Sequence, residues 1–182
     1  KYLQLANKLK LGLNPSHPEI FINKSKTLLI ETHNQKINEK EQINFPESIF
    51  IVGMPRTGST LVESILSMNA DVNDLGEVNI LEEAFLNSRK VDQRYTLAEF
   101  YIKKANLFHN RLMSTTNKWL YNYQYAGIIS NQIPNAKIIH CYRNPLDNIL
   151  SIYRANFAKG NEYSYSLIDS VKVYLDQEEI MT

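Results

Sequence analysis

The chain has 182 residues, of which 43% are hydrophobic and 21% are charged, as in an ordinary globular domain with its own core. The formal net charge is only +1 at pH 7, so no broad field favours nucleic acid, and any preference for anions has to be local. A single cysteine excludes an internal disulfide and a thiolate-rich zinc site, and no apolar run approaches the ~20 residues that cross a bilayer. We therefore expect a soluble, cytoplasmic protein with no membrane segment and no nucleic-acid partner.

The first 46 residues are polar and rich in asparagine and lysine, with intermittent apolar positions. They predict a small helical N-terminal extension over residues 1–46, with one or two modest helices, the first of them interrupted by Pro15 and Pro18. We expect residues 47–182 to form the main domain.

The main domain begins with Ser48-Ile49-Phe50-Ile51-Val52, a short apolar run of the kind that is buried on both faces of a parallel sheet. It leads into a loop framed by Gly53 and Gly58. A helix follows the loop, and we expect it to carry a broad apolar stripe formed by Leu61, Val62, Ile65, Leu66 and Met68.

The middle of the chain predicts a turn and two helices. The turn Asp74-Leu75-Gly76-Glu77 precedes a helix over residues 78–86. A capping box formed by Thr96 and Glu99 predicts the next helix start. We expect that helix to continue through Leu112 and Met113 to about Ser114.

The last part of the main domain contains a second strong strand, over residues 136–142. Before it we expect a short strand or extended turn at residues 118–120 and a helix over residues 125–133. After it Asn144 suits an N-cap and Pro145 the first helical position, and a final helix begins near Ser166. Strands spaced by helices predict an α/β fold, a P-loop-like three-layer α/β/α arrangement around a central parallel sheet.

The loop between Gly53 and Gly58 has the features of an anion-binding turn, since backbone N–H groups and the start of a helix together form a cradle for a tetrahedral oxyanion. The spacing of the two glycines is that of a Walker A loop, but Ser59 stands where a nucleotide triphosphatase carries lysine. The cationic side chain lies inside the loop, at Arg56. We therefore expect a phosphate-bearing ligand other than Mg·ATP.

A second arginine, Arg143, follows the second strong strand, and Ser151 lies eight residues further along the next helix. In a parallel sheet both strands end at the same edge, so Arg56 and Arg143 suit a ligand with two separate anionic groups. Taken without the first loop, the favoured interpretation of these residues is a surface ion pair, for example between Arg143 and Asp147, with Ser151 facing solvent.

The two motifs together resemble those of sulfotransferases that use 3′-phosphoadenosine 5′-phosphosulfate (PAPS). The runs of residues 53–63 and 138–153 look most like bacterial sulfotransferases often fused to tetratricopeptide repeats, which are relatives of the protein-tyrosine sulfotransferases. The resemblance covers roughly residue 47 to the end. It implies that this family's domain continues past Thr182, so that the domain over 47–182 is C-terminally incomplete.

The resemblance also implies how the donor is held. The 5′-phosphosulfate would be held by the loop residues Arg56, Thr57, Gly58, Ser59 and Thr60. Arg143 and Ser151 would hold the 3′-phosphate. No metal is implied, because a transferring sulfuryl group carries less negative charge than a γ-phosphoryl group.

Two further residues match the family's catalytic positions. Glu77 resembles the general base of the tyrosine-sulfating relatives, and Lys118 resembles the lysine that stabilises the bridging oxygen as the phosphate leaves. Close relatives commonly have Asp-Lys-Met-Pro where this chain has Asn117-Lys118-Trp119-Leu120, so the acceptor pocket is expected to differ.

We therefore predict a PAPS-dependent sulfotransferase whose partners are the nucleotide donor and a hydroxyl-bearing acceptor. A P-loop kinase or NTPase-like nucleotide-binding protein and a non-catalytic domain that retains the fold stay open as alternatives. The acceptor cannot be identified from the sequence, and a homodimer also stays open.

Overall fold

The computed structural model of the chain describes residues 1–34, 46–90, 95–107, 114–157 and 159–182. These ranges contain eight α-helices: α1 Tyr2–Leu13, α2 Pro18–Asn34, α3 Ser59–Leu66, α4 Ile80–Ser88, α5 Leu97–Asn106, α6 Ala126–Gln132, α7 Pro145–Arg154 and α8 Leu167–Met181. They also contain four strands and two 3₁₀ segments: β1 Ser48–Gly53, β2 Val72–Asp74, β3 Ser114–Asn117, β4 Ala136–Cys141, and the 3₁₀ segments Leu120–Tyr125 and Glu162–Tyr165. None of these helices is both long and apolar enough to cross a membrane.

The four strands form one sheet in the order β2-β3-β1-β4, and every pairing in it is parallel. Strand β1 is buried along its whole length, as expected for a strand covered on both faces. It pairs with β4 over six residues, from Ser48 opposite Ala136 to Gly53 opposite Cys141. The predicted fold class is therefore confirmed: an α/β domain with a central parallel sheet flanked by helices.

Parallel pairing brings the carboxyl ends of all four strands to the same edge of the sheet. Ligands of open α/β sheets bind in the crevice beyond this edge. We call it the carboxyl edge, and it is defined by the strand ends Asp74, Asn117, Gly53 and Cys141.

The predicted helix starts at Thr96 and Asn144 agree with the structure. Thr96 and Glu99 form a reciprocal capping box at α5. At α7 the Asn144 side chain accepts hydrogen bonds from the backbone N–H groups of Leu146 (3.1 Å) and Asp147 (3.3 Å). Pro145 occupies the first turn, where its missing N–H costs nothing.

The structure differs from the expected elements in two places. Helix α5 ends at Asn106 and not near Ser114, where strand β3 begins; the expected helical residues Leu112 and Met113 lie outside the described residues. The connection before Glu77 contains a short strand, β2, as well as the expected turn. Strand β3 ends at Asn117, and the Lys118 N–H continues its pairing by donating to the backbone oxygen of Gly76 (3.0 Å).

The expected apolar stripe of α3 is the main correction, because most of it faces outward. Leu61, Ile65 and Met68 are exposed, and the buried residues of this helix are Ser59 and Glu63. The position of α3 is therefore set by the loop before it and by the polar contacts of Glu63 described below.

The N-terminal helices contact the main domain through α2. The Ser25 hydroxyl donates to Asp176 Oδ2 of α8 (2.7 Å), and Tyr123 donates to the same oxygen (2.8 Å). The Gln124 amide donates to the backbone oxygen of Phe21 (3.0 Å). The boundary between domains at residue 46 itself stays a prediction.

Gly53, the last residue of β1, approaches β4 so closely that no side chain fits. Its φ is +135°, and a Cβ there would lie 2.5 Å from the backbone oxygen of Cys141. We expect Gly53→Ala to lower the free energy of unfolding by at least about 2 kcal/mol, since it combines backbone strain with a clash.

Chemical denaturation measures this effect, and Gly12→Ala in α1 is the matched control. Gly12 has open space around its Cβ position, so this change should be neutral or stabilise the protein by about 0.5–1 kcal/mol. Equal effects of the two substitutions would contradict the close approach of β1 and β4.

Candidate active site

The exit of each strand brings one of the charged residues selected from the sequence to the carboxyl edge. Glu77 follows β2 by three residues, and Lys118 comes directly after β3. Arg56 follows β1 by three residues, and Arg143 follows β4 by two. The strand order places these positions across the edge in the sequence acid, lysine, arginine, arginine. The four residues with charged side chains that the sequence analysis singled out thus share one edge.

The loop after β1 adopts the concave shape that suits an anion. Arg56 and Gly58 have left-handed φ angles of +70° and +93°, and such conformations turn successive backbone N–H groups toward one side. The Thr57 hydroxyl donates to the backbone oxygen of Met54 (2.8 Å), which closes the turn. No side chain caps the N-terminus of α3, so its first N–H groups, near Ser59 and Thr60, are available to an oxyanion.

Helix α7 holds this loop through a residue that the sequence analysis did not select. Asn148 is fully buried, and its amide donates to the backbone oxygen of Pro55 (2.8 Å). The loop after β1 and the helix after β4 are thereby joined at the carboxyl edge. Only the Asn148 side chain can be changed to break this bond, because its acceptor is a backbone oxygen.

The two arginines are neighbours. The Arg143 guanidinium donates to the backbone oxygen of Arg56 (3.2 Å), and Arg56 Nε donates to the Ser151 hydroxyl (3.4 Å). Both guanidinium groups are exposed on the same side of the molecule. Residues of the two motifs that were predicted to bind the nucleotide therefore lie in contact with one another. We call them the arginine cluster: Arg56, Arg143 and Ser151.

Lys118 lies between two carboxylates. Its Nζ is 2.5 Å from Glu77 Oε1 and 3.8 Å from Glu63 Oε2. The Lys118 side chain is 5% exposed and that of Glu63 is 9% exposed, whereas that of Glu77 is 65% exposed. We call these three residues the lysine cluster. It joins the two predicted catalytic residues directly and adds Glu63 to them.

Backbone hydrogen bonds beyond the ends of β2 and β3 bring Glu77 and Lys118 together. The Leu75 N–H donates to the backbone oxygen of Thr116 (2.9 Å), and the Lys118 N–H donates to the backbone oxygen of Gly76 (3.0 Å). The parallel ladder therefore continues to the residue before Glu77.

Asn117 fixes the direction in which the chain leaves β3. Its buried amide donates to the backbone oxygen of Val78 (3.1 Å), and its Oδ1 accepts hydrogen bonds from the Trp119 N–H and the Asn122 amide (3.0 Å each). The Asn117 side chain thus serves as both donor and acceptor.

Burial raises the pKa of Glu63 above its ordinary value, although the nearby Lys118 ammonium acts in the opposite direction. Asp74 and Glu77 raise it further through charge repulsion, and the Thr116 hydroxyl, 3.5 Å away, lowers it. Glu63 is therefore a carboxylate held at a place where its charge is disfavoured. Such groups concentrate at functional sites.

The raised pKa of Glu63 predicts how stability depends on pH. Because the native state holds this proton more tightly than the unfolded chain does, wild-type protein loses stability as pH rises above the ordinary glutamate pKa of 4.5 and through the higher native pKa. Glu63→Gln removes this loss.

We expect Glu63→Gln to melt at a higher temperature than wild type near pH 8 and the difference to shrink as pH falls below about 4.5. Lys118 keeps Glu77 as a partner in the variant, so its charge is not left unpaired. Paired thermal melts across the pH range measure this. A melting temperature that falls at pH 8 would show instead that Glu63 stabilises the fold.

Three residues of the site were missed: Glu63, Asn117 and Asn148. For Glu63 a signal exists in the sequence, because it lies four residues after Ser59 and so shares its helix face. Asn148 similarly lies one turn after Asn144 on α7. Asn117 carries no pattern that separates it from a surface asparagine.

The chain belongs to the sulfotransferase family, since the model of that family matches residues 46–182. This agrees with the resemblance noted from the two motifs. The subtype associated with tetratricopeptide repeats stays a prediction.

A curated relative is an uncharacterized protein of Aquifex aeolicus (strain VF5). It is 33% identical over 130 residues, which covers 60% of this chain and 17% of the relative. The chain thus matches about a sixth of the length of that protein.

Proposed function

We propose that this domain transfers a sulfuryl group from PAPS to the hydroxyl of an acceptor, without a metal ion. The observation that carries the proposal is that the exits of four parallel strands bring the four charged residues selected from the sequence to a single edge. Three of these four side chains are cationic, as suits a donor with two separate anionic groups, and the fourth is a carboxylate that can accept a proton.

The arginine cluster and the loop would bind the donor. The loop residues Arg56 to Thr60 would hold the 5′-phosphosulfate through backbone N–H groups and side chains, and Arg143 with Ser151 would hold the 3′-phosphate. The planar fork of arginine matches a phosphate bidentately. The contact of Arg143 and Ser151 with Arg56 supports a single ligand that spans both motifs.

The lysine cluster would perform the chemistry. Glu77 accepts the proton of the acceptor hydroxyl. At the same time the hydroxyl oxygen forms a bond to sulfur, and the bond from sulfur to the bridging oxygen breaks. The electron pair of that bond goes to the bridging oxygen of the leaving 5′-phosphate. Lys118 stabilises the charge that develops there. The direct Lys118–Glu77 contact supports this assignment, since both must face the same reacting atoms.

A first test is binding of the nucleotide product. We expect 3′,5′-adenosine bisphosphate to raise the melting temperature of the wild-type protein, since ligands that bind only the native state stabilise it. Mg·ATP should stabilise it less. No shift at millimolar ligand in a folded sample would contradict the proposal, and a larger shift with Mg·ATP would favour an NTPase.

The arginine cluster makes a prediction of its own. Arg143→Ala should weaken binding of the bisphosphate roughly 10- to 100-fold, because a hydrogen-bonded charge pair is lost. The matched control is Arg154→Ala at the exposed end of α7, which should leave affinity within about twofold. Titration calorimetry compares the two variants, and equal losses would remove Arg143 from the donor site.

The lysine cluster is tested by turnover. Glu77→Gln should lower sulfate transfer by roughly 10²- to 10⁴-fold without weakening bisphosphate binding, and Lys118→Ala should lower transfer by a comparable factor. Transfer from labelled PAPS to a panel of hydroxyl acceptors measures both. Bisphosphate binding together with unchanged transfer in these variants would indicate a different set of catalytic residues.

A further inference from the structure

Helix α3 turns a polar face inward beside the carboxyl edge. Its buried residues are Ser59 and Glu63, while Leu61 is 66% exposed and Ile65 is 57% exposed. Burying a carboxylate is costly unless it is paired. The Glu63 carboxylate lies 3.8 Å from the Lys118 ammonium and 3.5 Å from the Thr116 hydroxyl, so the face of α3 that carries Glu63 is directed at the end of β3.

These contacts of Glu63 are longer than those of a comparable structural carboxylate in the same chain. Asp176 is buried to the same degree, with 6% exposure against 7% for Glu63. It accepts short hydrogen bonds from the Ser25 hydroxyl (2.7 Å) and the Tyr123 hydroxyl (2.8 Å). The packing around Asp176 thus supplies short hydrogen bonds to its carboxylate. The packing around Glu63 leaves its charge to be balanced mainly by Lys118.

The two carboxylates that flank Lys118 differ in their freedom to move. Glu77 makes the shorter contact, at 2.5 Å, but most of its side chain is in water. The Glu77 carboxylate can turn away from Lys118 into water, whereas the Lys118 ammonium, with its side chain 5% exposed, then needs another partner. Glu63 is enclosed and cannot turn into water. Lys118 thus has one replaceable partner and one fixed partner.

The charge of the lysine cluster makes such a replacement necessary. One ammonium and two ionised carboxylates sum to −1, and Asp74 adds further negative charge nearby. An anionic donor is repelled by this arrangement while Glu77 covers Lys118. Its sulfuryl end reaches the ammonium when Glu77 moves away and Glu63 remains.

Resting on the proposed function, we propose that donor binding exchanges the partner of Lys118. The bridging oxygen of the donor takes the place of Glu77, while Glu63 acts as a positioning residue that keeps the ammonium at the end of β3. The released Glu77 carboxylate then accepts the proton of the acceptor hydroxyl as the bond from sulfur to the bridging oxygen breaks. The contact between Glu77 and Lys118 would thereby keep the Glu77 carboxylate from accepting a proton until the donor is bound.

The exchange is tested by binding alone, which needs no acceptor. Glu77→Gln should tighten binding of 3′,5′-adenosine bisphosphate about two- to fivefold, because the competing carboxylate is gone. If Glu77 did not compete with the ligand for Lys118, Glu77→Gln would leave the affinity for the bisphosphate unchanged. Glu77 is exposed, so this variant is expected to fold. Calorimetric affinity equal to or weaker than that of wild type overturns the exchange.

The positioning role of Glu63 is tested by turnover of the donor. Glu63→Gln should lower kcat for release of sulfate from labelled PAPS, with water as the attacking hydroxyl, by roughly 10- to 100-fold. The KM for PAPS should change less than about threefold. Glu63→Asp, which keeps the charge, should recover part of kcat. Asp176→Asn is the matched control, and it should lower the melting temperature while leaving kcat unchanged.

The outcomes separate this inference from the function on which it rests. If no variant binds the bisphosphate although all are folded, the proposed function fails. If the bisphosphate binds and Glu77→Gln lowers transfer without tightening binding, the function stands and the exchange is wrong. If Glu63→Gln and Asp176→Asn lower the melting temperature alike and neither changes kcat, Glu63 is a structural residue only.

Discussion

The parallel pairing of the four strands is the constraint on which the site depends. It directs their carboxyl ends to one edge, so residues far apart in the chain meet there, as Glu77 meets Lys118 and Arg56 meets Arg143. The ladder continues past the strand ends at Leu75 and Lys118. The backbone therefore sets the distances between these positions, and the side chains make the contacts of the site.

In both charged clusters the cations already contact partners within the protein before any ligand binds. In the arginine cluster, a guanidinium rests on the backbone oxygen of Arg56, and in the lysine cluster Nζ is covered by Glu77. An anionic ligand that binds here therefore replaces existing contacts of these cations. This fits the formal net charge of +1 for the whole chain, because the attraction for anions is held in a few local contacts.

The features that the sequence predicted are those encoded by short contiguous patterns. Strands β1 and β4 are uninterrupted apolar runs, and the starts at Thr96 and Asn144 follow from side chains that bond the next backbone turn. Strand β2 has three residues, too few for any periodicity to show. The inward face of α3 depends on Lys118, more than fifty residues away in the chain, so a helical-wheel argument assigned its apolar residues to the core.

The buried bond from Asn148 to Pro55 ties β1 and β4 into one half of the edge, whereas β2 and β3 form the other half. If the first half binds the nucleotide donor and the second half accepts the proton, binding and proton transfer depend on separate segments of the chain. The recognition of new acceptors can then diversify around the β2 and β3 exits during evolution. The span between the two nucleotide anchors, fixed by adjacent strands, would be inherited unaltered.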